Sequence, residues 1–548
     1  VSRRVRGLFR SAALRVAALA AFGVFASAQG RPPVLGRIAF PTSGATAAQP
    51  AFVRGVLYLH SFEYDQAIAA FREAEKLDPG FAMAYWGEAL AYDQPLWLNQ
   101  QIDRARAALA RLAPTRAARL AKAPTAREKG YLEAVELLYG DGDAAVRHRA
   151  YADRMAALHA QFPDDDEAAA FYALALLATV PEGERNPAVT LKAGAIALAI
   201  LKKNPEHPGA AHYALHAYDD GEHAGMGLAA ARIYARIAPA SSHARHMPSH
   251  IFLPLGMWDD ASASDESAFA ASVDLAARKG LSAAQYDFHS LSWLHYEYLQ
   301  QGRFAKAREV MKTVQDAIAA QSPKPGAPEI HAGHVESEIG KGFSTTSLKS
   351  ELASMRARLV VESRDWSTMK GQGSFENIDE LFALGASANQ AGDRARADTA
   401  LEHLRAAATT VPDRDARDIA AIMASELEAL SGFARGDRVG GLAAAARAAA
   451  MEAKRPKPVA RPYPIKPAGE LYGELLLASG DAPGALKQFE AALARTPRRS
   501  ASLFGLALAA EAAGQHTQAV QTAKEFLAVW HRADTGRRET ANMRALAP

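Results

Sequence analysis

The sequence contains no cysteine in 548 residues. Disulfides are excluded, and so is any thiolate metal site; a metal can be held only by His, Asp, Glu or backbone oxygen. A surplus of charge is missing as well. Five of the 63 Lys and Arg fall in residues 1–28, which hold no acid, so the rest of the chain sets 58 bases against 60 acids. That balance gives no reason to expect nucleic acid or an anionic membrane as a partner. Apolar runs are short, and Val16–Phe25 is too brief to span a bilayer. The motifs HExxH, GxSxG, the phosphate-binding P-loop and the dinucleotide glycine pattern are all absent, so no nucleotide cofactor is expected. Ser367-Thr368-Met369-Lys370 matches a serine–lysine pattern, but its partner motifs are missing.

What is present is alanine, helical periodicity and repetition. Residues 1–28 read as an export signal: Arg3, Arg4, Arg6, Arg10 and Arg15, then the apolar run, then the small-residue triplet Ala26-Ser27-Ala28. Cleavage there would start the mature chain near Gln29 and leave no transmembrane segment. The general secretory route fits; Ser2-Arg3-Arg4 has a faint twin-arginine likeness, with Arg6 and Gly7 where that pattern prefers apolar residues. Residues 29–50, rich in Pro, Gly and Thr, read as a flexible lead. In AFVRGVLYLHSFEYDQAIAAFREAEKLDP, the residues Gly55, Tyr64, Ala67, Phe71, Ala74 and Pro79 stand where tetratricopeptide helix pairs want them. Near the other end Gly480 and Gly514, and Ala485 and Ala519, are each 34 residues apart, the tetratricopeptide period. The expectation is an all-α tetratricopeptide-repeat superhelix, an α-solenoid of antiparallel helix pairs. An N-terminal array over 51–320 and a C-terminal one over 351–548 would be separated by a Pro/Gly/Ser/Thr-rich loop insertion at 321–350.

Histidine is concentrated. Seven of the 17 lie between His207 and His250. His212 and His216 are four apart, as are His246 and His250, and the second pair follows the first by 34 residues. On helices this spacing puts each pair on one face and both pairs at one height in the groove. Four imidazoles so placed predict a divalent metal site (Zn, Cu or Fe), with Asp219 and Asp220 as ligands or orienting acids. His60, Glu88 and His289 are outer candidates from other repeats. Trp86, Trp97 and Trp258 are core aromatics first and groove-lining ligand contacts second. Pro248 stands between His246 and His250, so either a helix starts there, leaving His246 outside it, or the helix kinks.

The segments LHSFEYDQAIAAF, AMAYWGEAL, HMPSHIFLPLGMWDDA and GELLLASGDAPGALKQFEAAL resemble a branch of exported bacterial tetratricopeptide proteins. The resemblance implies fold and histidine placement but no reaction. This chain departs from the branch at Asp93-Gln94-Pro95, where a histidine is expected before the proline, which weakens the first helix pair as a source of ligands. Three functions stay open at this point. One is a periplasmic or secreted binding module whose concave groove takes a peptide, protein or small molecule beside a metal centre. Another is a metal-dependent hydrolase or a copper or non-haem iron oxidase in that groove. The third is a purely structural scaffold, in which the histidines form a hydrogen-bonded spine between repeats.

Overall fold

The computed structural model describes residues 34–97, 99–181, 184, 186–320, 345–369 and 377–548. The expected export signal with its cleavage point at Gln29, positions 321–344 of the expected insertion and Lys370 of the serine–lysine pattern lie outside these residues. The chain divides into two units, Val1–Val34 and Leu35–Pro548, and the architecture below is that of the second.

The fold is all-α: consecutive helices pair antiparallel, as tetratricopeptide units do, and the only strands among the described residues are the two-residue pair Asp93–Gln94 and Asn99–Gln100. The same packing device appears at both ends. Phe71 lies between Gly55 and Gly87, and Phe489 between Gly473 and Gly505; a Cβ at any of these glycines would press on the ring. An aromatic from the second helix of a unit thus fills the space that small residues leave on the first helices of its own and the following unit. Glycines in the left-handed region close the terminal turns, Gly480 at φ 88° and Gly514 at φ 75°.

Two expectations change on contact with the structure. Residues 34–48 carry no long helix, but they are no flexible lead. Phe40 is buried against Phe52, Trp86 and Tyr131, and the Arg37 amide donates to the Glu206 carbonyl at 2.9 Å. Leu35 is buried as well, and the Ser43 and Ala45 amides donate to Glu128 at 2.7 Å and Asp78 at 2.8 Å. At the insertion, helix Thr345–Ser363 takes in its last six positions, 345–350.

First helices of successive units carry the candidate histidines. Asp165 caps helix Asp166–Leu177, His207 caps Pro208–Ala217 through Nδ1, Ser241 caps Ser242–His246, and Asp287 caps Phe288–Gln300. Pro248 divides its unit into two short helices, Ser242–His246 and Ser249–Phe252. This unit's second helix, Trp258–Lys279, follows. The C-terminal repeats return to the middle of the array: the Trp258 indole donates to the Arg498 carbonyl, and the Trp530 indole to the Gln300 carbonyl, each at 2.9 Å.

Candidate metal centre

The Pro208 helix turns His212 and His216 to one side, as four-residue spacing requires. The next unit brings His243, the second residue of the Ser242 helix, against them. His212 Nε2 lies 2.8 Å from His243 Nε2 and 3.0 Å from His216 Nε2. Behind it, His212 Nδ1 donates to the His60 carbonyl at 2.7 Å, which fixes the ring with Nε2 facing its neighbours. Phe62, held at φ 58°, closes this group from the side, its ring centroid 4.3 Å from that of His212. A bulky residue in the left-handed region is uncommon, and here it places an aromatic wall beside three imidazoles.

A second group repeats the first. His246 closes the Ser242 helix and His250 sits in the Ser249 helix, and despite the intervening proline their Nε2 atoms are 3.0 Å apart. His289, the second residue of the Phe288 helix, completes this set. In each set one nitrogen per ring lies within 4.8 Å of the others. The Nδ1 atoms of His246 and His250 face carboxylates, Asp265 at 2.5 Å and Asp219 at 2.6 Å.

Proton counting decides what these contacts mean. With both carboxylates ionised, each Nδ1 donates to its acid, and two Nε2 lone pairs then confront each other at 3.0 Å. Something positive must lie between them. Burial, and then Glu297, push Asp265 well above the usual carboxylate range, so its proton can enter the chain and place a hydrogen in the gap. A metal ion would fill the same gap and release that proton. Tetrahedral ligation at 2.0–2.1 Å separates ligand nitrogens by about 3.3 Å, a few tenths wider than these contacts. Burial holds His212, His243 and His246 well below the usual imidazole range, with neighbouring histidines adding to the effect; these rings are neutral at pH 7, as ligation requires. Each group therefore fits a late first-row metal, and neither set contains a sulfur or carboxylate ligand.

A third set of groups is His60, Glu167 and His207, whose ligand atoms also lie within 4.8 Å of one another. His207 Nδ1 accepts the Ala210 amide at 3.1 Å, so its proton is on Nε2, which faces Glu167. His60 Nε2 donates to Glu167 at 2.7 Å, and its Nδ1 accepts the Tyr213 hydroxyl at 2.8 Å. Burial works to raise Glu167, but His207 and His60 hold it well below the usual carboxylate range. Both ring nitrogens of His60 are hydrogen-bonded, whereas His207 Nε2 stands 3.3 Å from Glu167 outside hydrogen-bond geometry, and the set ties neighbouring units together.

No family model matches the chain, and no curated protein matches it. Among solved structures it is similar to a human IFIT1 dimer with m7Gppp-AAAA, at 12% identity and TM-score 0.33, covering 90% of this chain and 92% of that one. It is also similar to the APC/C hetero-tetramer Cut9–Hcn1, at 11% identity and TM-score 0.29, covering 90% and 75%. A third is the P58(IPK) TPR domain, at 12% identity and TM-score 0.23, covering 86% and 99%. Likenesses this loose say nothing about what the chain binds.

The remaining candidates are dispersed. His212, His216, His246 and His250 do not form one four-nitrogen set; they divide between two groups. Asp219 backs His250, whereas Asp220 pairs with His223 Nδ1 at 2.8 Å. Glu88 is buried between Arg72 and Arg111, away from the histidines, because two guanidiniums compensate its charge there. Trp86 is fully buried against Phe40, Tyr131 and Phe171, and Trp258 is tied to Arg498; neither presents a groove surface. Trp97 is half-buried and edges onto Phe62. Sequence reasoning passed over His243, Asp265 and Phe62. His243 had a signal, since His246 lies three residues on, on the same helix face; Asp265 and Phe62 had none.

Proposed function

We propose that this chain is a metal-binding tetratricopeptide-repeat protein that works outside the cytoplasm and holds a transition-metal ion on the histidines of its first helices. One observation carries the reading: His246 and His250 oppose their Nε2 atoms at 3.0 Å while carboxylates occupy both Nδ1 positions. That geometry orients lone pairs toward a common point. The centre is also reachable. His216 and Asp219 line a depression with Glu184, Asn186, Thr190 and His223, through which a small molecule or a peptide side chain can approach.

The test is metal analysis of protein purified without a histidine tag, with thermal melts in the presence of copper, zinc and nickel. The expected result is retained metal and a melting temperature that rises with added ion, because a ligand bound only by the folded state stabilises it. His246→Ala with His250→Ala should lower the metal content while keeping the helical circular dichroism. A wild-type protein that neither retains metal nor shifts its melt with any of the three would overturn the proposal.

The opening at His216 favours a second reading, a metal-dependent enzyme with an unfilled ligand position. A redox metal at full occupancy would point to an oxidase, and zinc to a hydrolase. The deciding measurement is turnover that disappears on chelation and returns with the same metal.

A further inference from the structure

The two histidine groups are one construction used twice. Each takes two imidazoles four apart from one unit and a third from the second residue of the following unit's first helix: His212 and His216 with His243, and His246 and His250 with His289. The ring spacings agree. In the first group the centroids are 4.7, 4.8 and 6.0 Å apart, and in the second 4.8, 4.6 and 6.1 Å. In both, the widest pair is stacked, at 24° and 25°. Two unrelated polar clusters would not share these dimensions. Successive units carrying the same ligand positions produce them: the pairs are 34 residues apart, and the third ligands 46 apart because the long helix Trp258–Lys279 precedes the Phe288 helix.

The groups also touch through one short helix. His243 belongs to the first and His246 to the second; both lie on Ser242–His246, three residues apart, where Cβ atoms are about 5–6 Å from each other.

Both ligand sets are imidazole only. Carboxylates stand behind the rings, as orienting acids at Asp219 and Asp265, and do not reach the common point. Hard cations want oxygen, and non-haem iron commonly wants a carboxylate, whereas imidazole suits zinc, nickel and copper, with copper(II) the tightest of the divalent series. The groups differ in support: His246 and His250 lean on carboxylates, His212 on a backbone carbonyl. Once a metal displaces the shared proton, both acids stand ionised behind the rings, and a carboxylate there makes the ligand more basic.

Resting on the metal-binding reading above, we propose that the two groups hold a pair of copper ions as one coupled centre, the His246 group filling first. The test is copper(II) titration of the metal-free full chain, followed by electron paramagnetic resonance at one and two equivalents. Wild type should take two equivalents. One mononuclear signal should appear at the first, and it should broaden or vanish at the second as the two spins couple. His246→Ala and His212→Ala should each take a single equivalent and keep a full mononuclear signal, with unchanged helical circular dichroism. A single equivalent in wild type, or two equivalents with two independent signals, would overturn the pair and leave the metal-binding reading standing. Zinc retained against equimolar copper would overturn the choice of metal. Failure of wild type to bind copper, zinc or nickel would remove the underlying reading itself.

Discussion

His295 shows what burial does to a histidine that has no ligand role. It is fully buried on the Phe288 helix, and burial, then the positive charge of Arg461, lower its pKa to about 3. In the unfolded chain the same group titrates near 6.5. Between those values the unfolded state binds a proton that the folded state refuses. This group's contribution to stability is therefore complete above pH 6.5 and is lost as pH falls toward 3, by about 1.4 kcal/mol per unit. His295→Gln should flatten the stability–pH curve between pH 6 and 4 by about one proton. Urea melts of metal-free protein across that range measure it, and an unchanged slope would contradict the assignment. At this scale the sequence disclosed a good deal of the site. The pairs His212/His216 and His246/His250 were legible because a helix period and a repeat period coincide on them. Their division into two groups was not, since it depends on the offset between neighbouring helices, which brings His243 to one pair and His289 to the other. Asp265 was illegible for a related reason: it reaches His246 from the second helix of its unit, through packing that no spacing encodes.

Among the elements, the glycine–phenylalanine device sets the helix separation, and it makes an opposing pair of expectations. Gly87 and Gly505 lie in helix interiors, where alanine ordinarily stabilises by up to about 1 kcal/mol. Here the added Cβ would drive into Phe71 or Phe489, so Gly87→Ala and Gly505→Ala should each destabilise by about 1–3 kcal/mol. Gly225, exposed in helix Ala224–Ile237 with nothing within 4 Å of a Cβ, should behave oppositely, with Gly225→Ala gaining about 0.5–1 kcal/mol. Denaturant midpoints of the three variants settle the sign in each case. Gly55 and Phe71 were readable in advance because a small residue at a helix contact and a large ring against it are part of the repeat signal, whereas Gly87 and Gly505 were not singled out. Of the two alternatives at Pro248, a new helix and a kink, the structure takes the first: a helix starts at Ser249 with His246 outside it, closing a short helix of its own, and the two imidazoles still meet. The pinned segment 34–48 was misread because Pro, Gly and Thr composition outweighed Phe40.

For the molecule as a whole, Leu35–Pro548, the consequential feature is the docking of the last repeats onto the middle of the array. Arg499 is its buried centre. It is fully inaccessible, reaches Glu470 at 2.8 Å and Glu362 at 2.7 Å, and donates to the Tyr296 hydroxyl at 3.1 Å. Next to it the Ser500 amide donates to Gln300 Oε1 at 3.1 Å. Gln300 and Tyr296 lie on the Phe288 helix, the same helix that offers His289 to the second histidine group, so the C-terminal repeats brace a ligand-bearing element. Arg499→Ala would leave buried Glu362 without its cation and Glu470 with Lys466 alone, a change that costs about 3–5 kcal/mol. Arg499→Lys would keep the charge but lose the paired N–H bonds to Glu470, and should recover only part of that loss. Metal content adds a second readout. If docking positions His289, Arg499→Ala at a temperature where it remains folded should weaken copper binding at the His246 group while leaving the His212 group close to wild type. Equal weakening at both groups, or at neither, would mean that the C-terminal repeats stabilise the array without holding the ligands in place.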